Sequence, residues 1–193
     1  MRLFVAVELD RRVSRALADC ASVLRQRADA LAPHARIGWV QPENLHVTTR
    51  FIGEVSDASG AAIAGALQPE LPMKAFDIVV GGVGAFPERG AAPRVLWAGI
   101  RAGEKGLAAL EAAVNARLGT CGVGPDARPY RPHVTLARVR EPAGLRTDAL
   151  LDGMTEREFG RSRVEAITLF QSRTSPKGAV YTALHRMPLR PKT

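Results

Sequence analysis

Residues 46–51 read HVTTRF, and residues 133–138 read HVTLAR. One copy lies in each half of the 193-residue chain, and the copies begin with His46 and His133, two of its four histidines. Alternating apolar and polar residues predict that both copies are β-strands with one buried face. This repetition indicates that the two halves of the fold are related by a weak duplication.

The remaining apolar patterns predict strands and helices in a similar order in the two halves. No linker is long enough to separate two independent domains, so we predict one α+β domain over residues 1–193, with mostly antiparallel strands. The predicted strands cover residues 1–9, 37–40, 45–55, 75–86, 94–100, 133–140, 163–172 and 179–187, and the predicted helices cover residues 10–31, 57–68, 103–119 and 144–153.

Local signals predict how several elements begin and connect. Asp10 precedes the first helix in an N-cap position. We expect the strand over residues 37–40 to pair with the strand over residues 45–55 across a hairpin-like loop, and we expect turns in PERGAAP and TSPKG. The expected apolar stripe of the first helix consists of Val13, Leu17, Cys20, Leu24, Ala28 and Leu31.

The chain is strongly basic, with a formal net charge of +8. This charge favours nucleic acid or nucleotide as a partner. The alternative is that the chain is simply rich in alanine and arginine and has no acidic partner. Cys20 and Cys121 lack CxxC spacing and predict reduced thiols in a cytoplasmic protein. The first residues predict a strand and not a signal peptide, and no apolar run approaches the roughly 20 residues that span a membrane.

Each copy of the pattern places a histidine and a threonine on one face of its strand, because residues i and i+2 point the same way. Two such faces in one groove suit phosphoryl chemistry without a metal. A neutral imidazole takes a proton from the attacking water, and a protonated imidazole donates a proton to the departing oxygen. Hydroxyl groups would then hold the phosphate oxygens. The candidate catalytic residues are His46 and His133, and the candidate phosphate-binding hydroxyls are those of Thr48 and Thr135.

Arg138 and Phe51 occupy equivalent positions in the two copies. Arg138 is a candidate phosphate ligand, since a guanidinium donates two parallel hydrogen bonds, and Phe51 is a candidate platform for a base. Strict alternation points both side chains to the opposite face from the threonines. Either a bulge shared by the two strands turns them into the groove, or they face the core.

Other assignments of these residues are weaker. A zinc site requires three or four nitrogen, sulfur or carboxylate ligands, and neither HExxH nor paired-cysteine spacing is present. Arg50, Tyr130 and Arg131 flank the patterns and suit either substrate contact or a solvated rim. We interpret His34 and His185 as surface residues and Trp39 and Trp97 as core residues.

The two patterns and their flanks resemble the 2H (two-histidine) phosphoesterase superfamily, and in particular its RNA 2′,3′-cyclic phosphodiesterases, also called 2′-5′ RNA ligases. The similarity extends over nearly the whole chain. It is carried by MRLFVAVEL, WVQPENLHVTTRFIGEV, GAFPERGAAPRVLWAGI, YRPHVTLAR and ITLFQSRTSPKGAVYTAL.

The resemblance implies a bilobal, pseudo-symmetric fold of two interleaved lobes, each an antiparallel sheet with outer helices, around a central groove. It implies opening of a 2′,3′-cyclic phosphate at an RNA end to a 2′-phosphate without metal or cofactor, and possible joining to a 5′-hydroxyl. By analogy, His46 is the acid and His133 the base, while Thr48, Thr135 and Arg138 bind phosphate.

The resemblance also implies that Phe51 lies under the terminal base. Thr49 replaces the aliphatic residue usual at its position; it belongs to the buried face, so we expect no catalytic consequence. The same site suits a nucleoside or ADP-ribose cyclic phosphate, and a catalytically idle RNA- or nucleotide-binding module is a third hypothesis. A monomer is expected.

Overall fold

The computed structural model describes residues 1–88, 92–175 and 178–191, and in these residues ten strands form one sheet beside four helices. The strands are β1 Arg2–Glu8, β2 Arg36–Trp39, β3 His46–Glu54, β4 Leu71–Lys74, β5 Phe76–Phe86, β6 Val95–Ala102, β7 His133–Glu141, β8 Glu158–Val164, β9 Ala166–Ser175 and β10 Gly178–Arg190. The helices are α1 Arg11–Leu31, α2 Asp57–Leu67, α3 Glu104–Gly119 and α4 Thr147–Leu151.

The two strands that carry the repeated pattern lie side by side in the middle of the sheet. The strand order is β4-β10-β9-β1-β3-β7-β6-β5-β8, with β2 as an additional partner of β7. All pairs are antiparallel except β10 with β4. The predicted α+β class is therefore confirmed, and the two expected sheets are joined through β3 and β7 into a continuous sheet.

The junction between β3 and β7 is narrow. Its register consists of a single pair, Val47 with Val134, after which the two strands separate. Further along the same edge of β7, β2 pairs through Ile37 and Trp39. The predicted hairpin between β2 and β3 is therefore wrong. A 3₁₀ turn over Pro42–Asn44 separates the two strands, and both use the edge of β7 in succession.

The first helix confirms the predicted apolar stripe, except at its end. The stripe from Val13 to Ala28 is buried, whereas Leu31 is 46% exposed. Asp10 is the N-cap residue, but it does not cap with its side chain: its carboxylate accepts the backbone N–H of Arg163 at 3.1 Å. The acid therefore ties the start of α1 to β8.

Two strands were not predicted, for identifiable reasons. The edge strand β4 is only four residues long and contains Pro72. In β8, polar residues and Gly160 hide the alternation, although Phe159 and Val164 are buried. The predicted strand over residues 163–172 is in fact the end of β8 followed by most of β9. The turns in PERGAAP and TSPKG lie partly outside the described residues.

Candidate active site

The junction of β3 and β7 brings the two repeated patterns onto one surface. One step to either side of the Val47–Val134 pair, the antiparallel register sets the histidine of each pattern opposite the threonine of the other. Both valines are fully buried behind the sheet, whereas the histidines and threonines are only partly buried. We call the surface that carries these four side chains the groove face. They are His46, Thr48, His133 and Thr135.

Main-chain carbonyls hold both imidazole rings in the same way. His46 Nδ1 lies 2.7 Å from the carbonyl oxygen of Asn44, and His133 Nδ1 lies 2.7 Å from that of Arg131. Because a carbonyl oxygen only accepts, Nδ1 carries the proton in each ring, and Nε2 is the nitrogen that exchanges a proton. His46 Nε2 lies 3.0 Å from Thr48 Oγ1, so the hydroxyl donates to it while the ring is neutral.

Aromatic rings pack around both histidines. The ring of Phe4 is centred 5.0 Å from that of His46, and Tyr181 meets His46 edge-on at 5.5 Å. Phe86 meets the ring of His133 edge-on at 5.4 Å. These contacts restrict the orientation of each imidazole and remove water from its sides.

A bulge occurs at the same position in both strands. Thr49 is the extra residue where β3 pairs with β1, and Leu136 is the extra residue where β7 pairs with β6. The shift exposes Phe51 to 43% and also exposes Arg138, which confirms the shared irregularity proposed from the sequence. The guanidinium of Arg2 lies over the Phe51 ring, 5.1 Å from its centre.

Burial lowers the pKa of both histidines below the ordinary value, because the low-dielectric surroundings disfavour the imidazolium. The hydrogen bonds to the main-chain carbonyls oppose this effect. The positive charge of Arg138 lowers both pKa values further, and the charge of His133 also lowers that of His46. Both rings are therefore mainly neutral at pH 7 in the free protein, and a bound anion would favour protonation of one of them.

Neither a metal cluster nor a membrane-spanning helix occurs in the part of the chain that the structure describes. Within it, no group of three or more histidine, cysteine, aspartate or glutamate side chains is arranged to hold a metal ion. No helix there is long and apolar enough to cross a membrane.

Comparison with known proteins agrees with this geometry. The family model of the 2′-5′ RNA ligase superfamily matches residues 17–176. The chain belongs to this superfamily. A protein of Aeropyrum pernix named RNA 2′,3′-cyclic phosphodiesterase is 37% identical over 149 residues, which cover 77% of this chain and 84% of that protein. A protein of Archaeoglobus fulgidus with the same name is 35% identical over 185 residues, covering 95% of this chain and 98% of the relative.

Solved structures of similar proteins share the fold of this superfamily member over its whole length. A crystal structure of a Thermus thermophilus protein has a TM-score of 0.76, with 30% identity and 100% coverage of both chains. The structure of E. coli LigT complexed with 3′-AMP has a TM-score of 0.74, with 26% identity and 97% coverage of both chains. The family predicted from the motifs is confirmed.

The two arginines that were expected at the edge of the site, Arg50 and Arg131, differ in burial and in partners. Arg50 is only 7% exposed; its Nη2 donates to the carbonyl oxygen of Gly124, and its Nη1 lies 3.8 Å from Asp126 Oδ2. Arg50 therefore holds a loop behind the sheet, and neither hypothesis for it was right. Arg131 is an exposed rim residue paired with Glu88 at 3.0 Å.

Four further expectations have different outcomes. His34 is exposed, as predicted. His185 is half-buried, and its Nε2 has no hydrogen-bond partner among the described residues, so the surface interpretation was wrong. Trp39 packs against the core as predicted, whereas Trp97 borders a cavity beside His133, so its core interpretation was wrong.

The aromatic surroundings of the site were not predicted from the sequence. Phe4 was expected only as part of the strand over residues 1–9, yet both faces of β1 are buried and Phe4 packs on His46. Tyr181 comes from β10, 135 residues after His46, and no local pattern connects the two. The available signal in the sequence was that Phe4 in β1 and Tyr181 in β10 are aromatic residues at positions where the alternation predicts polar ones.

Proposed function

We propose that this chain is an RNA 2′,3′-cyclic phosphodiesterase that opens a terminal 2′,3′-cyclic phosphate to a 2′-phosphate with two histidines and without a metal ion. The observation that carries the proposal is the Val47–Val134 register, which sets two histidine–threonine pairs on one groove face, each with Nδ1 bonded to the main chain and Nε2 as the nitrogen that exchanges a proton. The names of the similar proteins support it.

The reaction requires one acid and one base on opposite sides of the phosphorus. By analogy with the family, His133 Nε2 removes a proton from a water molecule, whose oxygen attacks the phosphorus. The bond from phosphorus to the 3′-oxygen breaks, and that oxygen takes the proton from His46 Nε2. Each assisted proton transfer typically contributes about 10² to 10⁴ in rate.

The groups around the two rings suit the charge that develops on the phosphate. The hydroxyls of Thr48 and Thr135 are proposed to donate to the non-bridging oxygens. For Thr48, this means exchanging its contact with His46 Nε2 for one with the phosphate. The exposed guanidinium of Arg138 can donate two parallel hydrogen bonds to the same oxygens. Losing one such donor commonly costs about 10² to 10³ in rate.

Phe51 is the proposed platform for the terminal base. Its ring is exposed on the strand that carries His46, and the guanidinium of Arg2 already lies over it. A base stacked on this ring would place its ribose on the His46 side of the phosphorus. The proposed leaving oxygen lies on that ribose, so stacking on Phe51 agrees with His46 as the acid.

The partner of this site is proposed to be an RNA end that carries a cyclic phosphate, and the basic net charge of +8 suits it. We also propose a monomer, since both histidines come from one chain and face one groove. A cytoplasmic location is proposed from Cys20 and Cys121, which are free thiols in the structure.

Product identification tests the proposal. An RNA with a 2′,3′-cyclic phosphate end is incubated in EDTA with wild-type protein, His46→Ala or His133→Ala, and the end group is identified by chromatography. Only the wild type should produce a 2′-phosphate efficiently. A 3′-phosphate would overturn the proposed assignment of the leaving oxygen. No turnover despite measurable binding would favour another cyclic phosphate or a binding module.

A further inference from the structure

A cavity of about 640 Å³ lies on the second half of the sheet, beside one of the two histidines. His133 borders it, together with Trp97 of β6, Ala108 of α3 and Tyr130 of the loop before β7. The first repeated pattern contributes none of its residues to the cavity wall. The cavity is therefore a compartment on the His133 side of the reacting phosphate.

The cavity is far larger than hydrolysis requires. A single water molecule needs only about 10–15 Å³ of such space. Pockets of about 300–1,000 Å³ hold ligands of nucleoside size or larger. A second organic group, delivered to His133, accounts for the volume, and an attacking water molecule does not.

The wall of the cavity suits a nucleobase. The indole of Trp97 lies so close to the backbone of Gly84 that a Cβ there would overlap it, which keeps the ring flat against the sheet. Trp97 Nε1 and Tyr130 Oη are both buried and have no hydrogen-bond partner among the described residues. A flat aromatic ring on the wall of a cavity can stack a base.

The rim of the cavity carries charges of both signs, since Glu88 and Glu104 border it as well as two arginines. Arg101 and Arg131 border it, and both are exposed. Each is held by an acidic partner, Glu156 at 3.0 Å for Arg101 and Glu88 at 3.0 Å for Arg131. A strand that enters the cavity would bind these guanidinium groups through its phosphates in exchange for the two ion pairs.

We propose that this cavity is the acceptor subsite for ligation: it binds the 5′-terminal nucleoside of a second RNA strand and presents the 5′-hydroxyl to His133. The inference rests on the proposed function, because the cyclic phosphate must lie between the two histidines with its own base on Phe51. In-line attack then brings the nucleophile from the opposite side, which is the side of the cavity.

The ligation step balances without a co-reactant. His133 Nε2 takes the proton of the 5′-hydroxyl, and the 5′-oxygen forms a bond to phosphorus. The bond from phosphorus to the 3′-oxygen breaks, and that oxygen receives the proton of His46 Nε2. The product is a 2′-5′ phosphodiester with a free 3′-hydroxyl, and water competes with the 5′-hydroxyl for the same position.

Ala108→Trp tests the subsite, with Ala109→Trp as the matched control. Both alanines are exposed on α3, but only Ala108 borders the cavity, so only the first substitution fills it. A donor RNA with a cyclic phosphate end is mixed with a 5′-hydroxyl acceptor RNA. The joined product and the hydrolysed 2′-phosphate are measured in the same reaction, at several acceptor concentrations.

In Ala108→Trp we expect the KM for the acceptor to rise at least about tenfold while hydrolysis stays within about twofold of wild type. Ala109→Trp should match wild type in both reactions. Trp97→Leu, which removes the stacking ring, should also raise the acceptor KM. An acceptor with a 5′-phosphate should not be joined.

Three outcomes would overturn the inference while the proposed function stands. In one, Ala108→Trp ligates as well as wild type. In another, hydrolysis and ligation fall together, which would assign the cavity to the donor nucleotide. In the last, wild type hydrolyses the donor but joins nothing even at high acceptor concentration. If wild type neither hydrolyses nor ligates, the proposed function itself fails.

Discussion

Replacing His46 or His133 by asparagine separates the effect of losing proton transfer from the effect of losing the hydrogen bond that positions the side chain. In both histidines, Nδ1 donates to a main-chain carbonyl and Nε2 is left for chemistry. The side-chain amide nitrogen of asparagine occupies about the position of Nδ1. His46→Asn and His133→Asn therefore keep the donor to the carbonyls of Asn44 and Arg131, and they remove only the nitrogen that exchanges a proton.

The magnitude follows from the role of Nε2. Loss of one assisted proton transfer should lower kcat/KM by about 10² to 10⁴, which corresponds to about 2.7–5.5 kcal/mol of transition-state stabilisation. The acid and the base act in the same step, so their losses should not add. The kcat/KM of the double variant should lie within about tenfold of that of the less active single variant.

The assay is single-turnover opening of a cyclic-phosphate RNA end, with the affinity for a non-reacting phosphate analogue measured in parallel. Binding should change by less than about threefold, because the threonines and Arg138 remain. His34→Asn, at an exposed histidine, is the control and should match wild type. If either groove variant retained more than about a tenth of wild-type turnover, that histidine would not transfer the proton and the two-histidine mechanism would be refuted.

Four further predictions follow from the electrostatics, the donor set and the packing. Both histidine pKa values are lowered from the ordinary imidazole value, chiefly by burial, and the reaction needs one protonated and one neutral ring, so kcat/KM should be highest on the acidic side of that ordinary value. Arg138→Gln removes a charge that lowers both pKa values and should move this maximum to higher pH; Arg15→Gln, on the outer helix α1, should not, and equal shifts would contradict the assignment. EDTA should leave turnover unchanged, whereas loss restored by a divalent ion would overturn the metal-free scheme. Arg50→Ala should lower the free energy of unfolding in urea by about 1.5–3 kcal/mol, because a buried charged hydrogen bond is lost, with kcat/KM retained; a large activity loss without destabilisation would return Arg50 to the substrate site. If residues 1–193 form one domain, calorimetry should record a single cooperative transition, and two separate transitions would indicate independent lobes.

Much of the local structure could be predicted because it depends on neighbours in the chain. Apolar spacing predicted the buried stripe of α1, the helix α3 and the strands around both motifs. Nearly the same apolar positions are buried in the structure. Leu31, the last residue of α1, is an exception because it is 46% exposed. Short or polar strands such as β4 and β8 lack the spacing and were missed.

The pairing of strands could not be predicted from neighbours. Ile37 and Trp39 lie a few residues before β3, yet they pair with β7, about 100 residues later. Sequence proximity favours a hairpin, but the edge of β7 beyond Val134 is left open when β3 separates from it. A vacant edge is a property of the assembled sheet and has no signal in the local sequence.

The sequence by itself determined the family and the chemistry of this protein. His-Val-Thr written twice specifies two imidazoles and two hydroxyls on matching strand faces, since alternation along a strand is a local property. The sequence also showed that strict alternation would turn Phe51 and Arg138 away from the face of the threonines. A bulge shared by both strands was one of the two explanations that it allowed.

Only the tertiary structure decided what surrounds that chemistry. It sets Phe4 and Tyr181 against His46, turns the arginine of the first motif behind the sheet, and opens a cavity walled by Trp97 beside His133. These arrangements depend on contacts between residues that are far apart in the chain. Such contacts arise from the pairing of strands and from the volume left between packed elements, and no short stretch of sequence encodes either.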